Sequence, residues 1–190
     1  MTVSKLELAA LAELLFCWFA WALGFIYPML KSRGQQKAVT DRRSRVGILA
    51  VMVGFMCAGT YIGAMQLERP AALLIASMLL APVSVVFTWW ATFHLGKHWR
   101  YVAALTPDHQ LITTGPYRLI RHPIYASIFG LLLATVCAWT WWPLAIPAVV
   151  IFILGTEIRV RTEDGLLASR FGEQFVAWST HTRAYIPFIR

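Results

Sequence analysis

The amino-acid sequence predicts an all-α fold, an integral membrane bundle of about five transmembrane helices followed by a cytoplasmic C-terminal amphipathic helix. Three observations lead there. Only 14% of the 190 residues are charged while 58% are hydrophobic, against roughly 25% charged in a soluble domain. Apolar runs close to the ~20 residues that cross hydrocarbon recur five times. Basic residues gather in the segments between those runs and not within them. Nothing marks a second domain, so residues 1–190 read as a single membrane domain. Residues 1–95 hold three N-terminal spans, and residues 96–190 hold a loop, a helical hairpin and a C-terminal segment.

The spans are expected at Leu8–Leu30, Val46–Gln66, Ala71–Leu95, Pro123–Ala138 and Leu144–Ile158. The last two are short and separated only by Trp139–Pro143, which predicts a tight hairpin. Trp139, Trp141 and Trp142 then mark an interface, where indole rings settle. The first run is too long for the core of a signal peptide and lacks a convincing cleavage site.

Orientation follows from Lys and Arg. Segment 31–45 carries Lys31, Arg33, Lys37, Arg42, Arg43 and Arg45. Segment 96–122 carries Lys97, Arg100, Arg118 and Arg121, and the C-terminal segment carries Arg159, Arg161, Arg170, Arg183 and Arg190. Five spans put all three on one side and leave Lys5 and Arg69 on the other. Positive charge stays in the cytoplasm, so the N-terminus is expected outside and the C-terminus inside. The net charge of +8 then suits anionic lipid headgroups or an anionic ligand, and nucleic acid is not expected as a partner.

Cys17, Cys57 and Cys137 lie in apolar runs without CxxC spacing, so neither a disulfide framework nor a zinc site is expected. His94 and His98 are four apart, a spacing that metal ligands use, but no acid or thiol is near them in sequence, and no metal is expected. In the C-terminal stretch Leu167, Phe171, Phe175 and Trp178 fall at helical spacing, the pattern of a helix lying on the membrane surface or against the bundle.

Two polar clusters stand out. The first runs from His109 to Tyr117 and continues through Arg121, His122, Pro123, Ile124 and Tyr125. Pro123 suits the first position of a helix, which puts His122 at the cap. The free amides of that first turn, with the helix dipole, can take a carboxylate. The alternative is that His122 and Tyr125 only anchor a helix at the interface. The second cluster is Glu157, Arg159, Arg161, Glu163 and Asp164. Arg159 and Glu163 are four apart and share a helix face. Ionisable groups at membrane depth cost ~2.5–3.5 kcal/mol each and face a cavity or a partner. Arg159 therefore either receives an anion in an apolar cavity or forms a salt bridge with Glu163.

At these clusters the chain resembles the isoprenylcysteine carboxyl methyltransferase family, which is related to the phospholipid N-methyltransferases. The resemblance rests on Leu95-Gly96-Lys97-His98-Trp99, on His109-x-Leu-Ile-Thr-x-Gly-x-Tyr117 and on Arg121-His-Pro-x-Tyr125. It continues with Arg159-x-x-x-Glu163-Asp164, Phe171-Gly172 and Arg183-x-x-Ile-Pro-Phe-Ile189. The resemblance implies an S-adenosyl-L-methionine pocket formed by His109, Gln110, Leu111, Ile112, Tyr117, His122, Pro123, Ile124 and Tyr125. It places Arg159 and Glu163 beside the transferred methyl, with a prenylated or other lipid-like carboxylate as acceptor. Asp164 stands where the family commonly has a second Glu. The other readings are a phospholipid or small-amine N-methyltransferase on the same scaffold, and a non-enzymatic transporter or lipid-binding protein. A transporter should carry polar residues at mid-bilayer in broken helices, whereas here they gather at one face.

Overall fold

The structure, a computed structural model, describes residues 4–31, 39–40, 43–60, 69–101, 104–105 and 109–185. Helix α1 spans Lys5–Leu23 and the short α2 spans Ile26–Lys31. Ser4 caps α1 by accepting from the Glu7 amide, and the Glu7 carboxylate returns a bond to the Ser4 amide. Then come a two-residue strand β1 (Val39–Thr40), α3 (Arg43–Gly59) and α4 (Ala71–Leu95). A 3₁₀ turn at Gly96–His98, strand β2 (Ala104–Leu105) and a second 3₁₀ turn at Gly115–Arg118 fill the loop before α5 (Pro123–Ala138). Helix α6 runs from Trp142 to Phe171, and α7 covers Glu173–His181. Strands β1 and β2 pair antiparallel.

Three stretches are long and apolar enough to cross a membrane: Lys5–Lys31, Ala71–His98 and Trp142–Phe171. On these stretches the chain is an integral membrane protein. Of the five expected spans, the other two come out short. Helix α5 has 16 residues, about 24 Å of rise against a ~30 Å hydrocarbon core. Helix α3 has 17 residues, and positions 61–66 of the expected second span lie outside the described residues.

The expected tight hairpin of α5 and α6 is corrected by the packing. The turn between them is short, but the helices part company: α5 packs chiefly on α4, and α6 chiefly on α3. Small side chains explain both choices. The α4 face toward α5 carries buried Ser77, Ala81, Ser84, Thr88 and Ala91, and Thr88 Oγ1 donates to Ser127 Oγ at 2.7 Å. Between α3 and α6 the backbones nearly touch. A Cβ on Gly47 would stand 2.7 Å from the Gly155 carbonyl oxygen, and a Cβ on Gly155 would stand 2.8 Å from that of Gly47. The 139–141 turn is pinned to the end of α3, because Trp139 Nε1 donates to Gly59 O at 3.0 Å and Thr140 Oγ1 to Ala58 O at 2.7 Å.

Splaying α5 from α6 opens the space the site needs. Helix α1 leans on α4 and α5 through Trp89 Nε1 to Ala20 O at 2.9 Å and Trp18 Nε1 to Thr135 Oγ1 at 3.2 Å. The expected C-terminal amphipathic helix is divided. Leu167 and Phe171 close α6, Gly172 breaks the chain with φ +50°, and Phe175 and Trp178 belong to α7.

Candidate active site

One cavity of about 850 Å³ lies between α1, α3, α5 and α6 and under the loop before α5, within the usual range for a small-molecule site. The eleven residues that the resemblance assigns to the site border it: His109, Gln110, Leu111, Ile112, Tyr117, His122, Pro123, Ile124, Tyr125, Arg159 and Glu163, whereas Glu157, Arg161 and Asp164 of the second cluster do not. They come from a loop that runs into the start of α5 and, dozens of positions later, from the interior of α6. The C-terminal segment joins the loop end, where the amides of Arg121 and His122 donate to the carbonyls of Arg183 and Ala184, each at 2.7 Å. The rest of the expected C-terminal motif, residues 186–189, lies outside the described residues.

Pro123 opens α5 as expected, with His122 at the cap, but the His122 ring makes no capping bond. It is held by two carboxylates instead. Nε2 lies 2.8 Å from Asp164 Oδ1, and Nδ1 lies 3.4 Å from Glu163 Oε2. Arg121 Nη2 adds 3.1 Å to Asp164 Oδ2. Both ring nitrogens thus face carboxylates of α6, and the ring braces the loop against that helix. Burial opposes its charge, yet the hydrogen bonds to Asp164 and Glu163 outweigh this and raise its pKa to about 9.

Arg159 is only 8% exposed. Counting from Trp142, it sits about 26 Å along α6, near the far edge of a hydrocarbon slab. Nε donates to the Tyr125 hydroxyl at 2.7 Å, and Nη2 donates to Tyr101 O at 3.0 Å and to Glu163 Oε1 at 3.4 Å. The Tyr125 hydroxyl in turn donates to Glu163 Oε1. The salt bridge expected as the plain alternative therefore exists, but it is long. Nη1 has no hydrogen-bond partner among the described residues. With His122 protonated, Arg121, His122 and Arg159 face Glu163 and Asp164: three cations against two carboxylates.

The chain's similarity to known proteins follows the same segments. A family model described as the isoprenylcysteine carboxyl methyltransferase family matches residues 74–169. The chain belongs to that family. Membership supports a methyltransferase working in a membrane. Among curated relatives, the chain is 30% identical over 168 residues to the cobalt-zinc-cadmium resistance protein CzcN of Cupriavidus metallidurans, covering 85% of this chain and 71% of that one. It is 28% identical over 148 residues to the nickel-cobalt-cadmium resistance protein NccN of Alcaligenes xylosoxydans xylosoxydans, covering 76% of this chain and 65% of that one. No group of three or more His, Cys, Asp or Glu side chains that could hold a metal occurs among the described residues. His94 Nδ1 instead meets Trp90 O at 3.2 Å, and the His98 ring packs edge-on against His109 at 5.1 Å.

Sequence reasoning missed the apolar half of the cavity. Trp18, Trp21 and Phe25 from α1 and its sequel, and Phe55 from α3, line it, with Trp18 edge-on to Trp21 and Phe55 at 5.6 and 5.0 Å. Their aromatic residues at three- and four-residue spacing were a usable signal, but nothing local said that α1 and α3 face one space.

Proposed function

We propose that the protein is an S-adenosylmethionine-dependent carboxyl O-methyltransferase whose acceptor is a lipid-like carboxylate, a prenylated cysteine or a related prenylated acid. The observation that carries this is Arg159, a buried guanidinium whose Nη1 has no partner among the described residues, on a cavity whose charged groups sum to a positive value. A cation there is costly unless an anion joins it, and a planar carboxylate matches the guanidinium fork. The same balance disfavours the N-methyltransferase reading, because both carboxylates are already engaged by cations and none is left to attract a protonated amine.

The polar loop side fits the cofactor. His109–Ile112 and Tyr117 border the cavity, and the α5 amino end leaves the Ile124 amide, next to buried His122, without a hydrogen-bond partner among the described residues. That end suits the cofactor's carboxylate. When bound, S-adenosylmethionine supplies an electrophilic methyl group on its sulfonium and leaves as a neutral thioether. The chain's own residues do the rest. Arg159 grips and orients the acceptor carboxylate, and Glu163 with Tyr125 fixes the guanidinium. The wall of Trp18, Trp21, Phe55 and Phe152 takes the tail and keeps water out. Alignment of this kind contributes ~7–11 kcal/mol. The basic segments place this face in the cytoplasm, with the N-terminus outside. Membrane lipids surround it, and one lipid-like acceptor enters it.

Purified protein with methyl-labelled S-adenosylmethionine and a lipid extract or a prenylcysteine tests the reading. Label should appear as a base-labile methyl ester. Base-stable label would move the reading to N-methylation. No transfer, with no cofactor binding by calorimetry, would remove the methyltransferase assignment.

A further inference from the structure

Helix α4 keeps one face open along most of its length. Leu79, Val83, Val86 and Trp90 are exposed at three- and four-residue spacing, an apolar stripe that meets lipid. From Val83 to His94 the helix rises about 16 Å, the acyl depth of one leaflet. The Trp90 indole then stands where headgroups begin. One helical turn beyond Trp90, the stripe ends at exposed His94, against the 3₁₀ turn Gly115–Arg118. A Cβ on Gly115 would collide with the His94 ring, and the Tyr117 hydroxyl donates to Ala91 O at 3.5 Å. The 3₁₀ turn therefore lies across the headgroup end of the stripe.

The chain leaving that turn is basic and open. Arg118 and Leu119 are exposed, and so is Arg183, which forms a parallel bridge with Ile120. One bridge spacing and two residues of chain leave the Arg118 and Arg183 backbones at most about 12 Å apart. Two side chains of arginine length can close that distance on one phosphate. Neither guanidinium has an ion pair among the described residues, and the carboxylates of nearby α6 are taken: Asp164 by Arg121 and His122, Glu163 by His122 and Arg159.

We propose that Arg118 and Arg183 hold the headgroup phosphate of an anionic phospholipid whose acyl chains lie along the Leu79–Trp90 stripe, with Leu119 at the boundary between the two. Charge complementarity selects the lipid. Guanidinium forks match phosphate oxygens, whereas a zwitterionic lipid also brings a cation to a place that already has two. The bound lipid seats the wall of the cavity, because Tyr117 of this turn and Arg121 and His122 just after it border the cavity.

The test offers delipidated full-length protein an equimolar mixture of dioleoyl phosphatidylglycerol and dioleoyl phosphatidylcholine in micelles. Retained lipid is counted by native mass spectrometry. Wild type should favour phosphatidylglycerol about 30-fold, roughly fivefold for each arginine. Arg118→Gln and Arg183→Gln should each lose about fivefold, and the double variant should retain the two lipids alike. Arg45→Gln with Arg161→Gln removes the same charge from other exposed positions and should keep the wild-type preference. A preference that survives in the Arg118/Arg183 double variant overturns the site. An equal loss in the Arg45/Arg161 control overturns it too, since the protein's overall charge would then be the cause. Displacement of phosphatidylglycerol by excess inorganic phosphate would mark a site for a soluble anion instead. In phosphatidylcholine alone the Arg118/Arg183 double variant should melt with wild type. A lower melting temperature there would mark structural arginines and overturn the assignment. The effect on the cavity wall is read from hydrogen exchange: phosphatidylglycerol should slow the amides of residues 115–125 in wild type and not in the double variant. Unchanged exchange in wild type would overturn the seating of that wall. Methyl transfer enters none of these readings, so their failure is separate from that of the proposed activity.

Discussion

Arg69 and Arg159 are each 8% exposed, and each lies over an aromatic ring, Trp142 at 4.5 Å and Tyr125 at 5.2 Å. Their surroundings differ. Arg69 Nη2 donates to the carbonyl of Thr140 in the 139–141 turn, and its amide donates to Glu7 Oε1 at 3.3 Å. It ties the start of α1 to the α5–α6 turn and does not border the cavity. Arg159 is bound on one edge by Tyr125, Tyr101 and Glu163 and opens on the other to the cavity. A buried arginine closed in by backbone and ring is a fastener. One that borders a cavity is available to an anion.

Breaking Arg159 should have the largest effect. Losing one partner of a buried charge contact costs 2–5 kcal/mol in binding terms. Arg159→Met should therefore lower methyl transfer on the order of 10²–10³-fold while cofactor affinity, by calorimetry, stays near wild type. Glu163 keeps His122 as a partner in that variant, so the unfolding temperature should move little. A loss of fold with activity falling in proportion would make Arg159 a fastener too. Arg159→Lys keeps the charge but not the planar fork. Substantial loss with Lys would point to carboxylate recognition, whereas full activity would point to a generic cation.

Arg69→Met should reverse that pattern. It removes the carbonyl contact and the cation–π contact, together about 2 kcal/mol of stability. The unfolding temperature should drop clearly, while turnover per folded molecule is unchanged. Reduced turnover in the folded fraction would show that the end of the bundle around the α5–α6 turn reaches the site.

The contrast also shows what the sequence made legible. The helix start at Pro123, the cap position of His122 and the shared face of Arg159 and Glu163 followed from local rules, and the structure has all three. Long-range partnership was not legible. Arg159 stood out by its place in a charged cluster and Arg69 did not, but only the fold shows that the first borders a cavity and that the second ties the α5–α6 turn to α1. The hairpin expectation failed for a similar reason. Short connection favoured α5 on α6, but Gly47, Gly155 and the small face of α4 made better partners elsewhere. The roles of the eleven site residues still rest on the proposal, although the structure gathers them around one cavity.

His122 sharpens the comparison through pH. Its folded pKa, raised to about 9 from 6.5, means the folded state holds the proton more tightly than the unfolded chain. The stabilisation is therefore fully present below pH 6.5 and is lost as pH rises through about 9. Wild type should lose unfolding temperature between pH 7 and 10 more steeply than His122→Asn, which has no such proton to release. Parallel curves for the two proteins would mean that the ring is not the charged brace between Asp164 and Glu163.

The smallest effect should come from Arg161, although its ion pair is the tightest by distance among the described residues. Nε lies 2.7 Å from Glu157 Oε1, against 3.4 Å for Arg159 and Glu163. Distance alone would rank Arg161 first. Its side chain, however, is 73% exposed, so water and salt screen the pair, and ordering two long side chains offsets much of the gain. Such pairs contribute ~0.2–1 kcal/mol. Glu157 also keeps the Tyr185 hydroxyl at 3.3 Å after the pair is removed, so no buried carboxylate is stranded. Arg161→Ala should therefore leave methyl transfer and the detergent unfolding temperature close to wild type, and raising the salt should shrink even that difference. A large loss would mean that the exposed face of α6 holds something a detergent micelle does not replace. Repeating the measurement in bilayers with and without anionic lipid then separates a headgroup contact, where the loss follows the lipid, from a contact within the chain, where it does not.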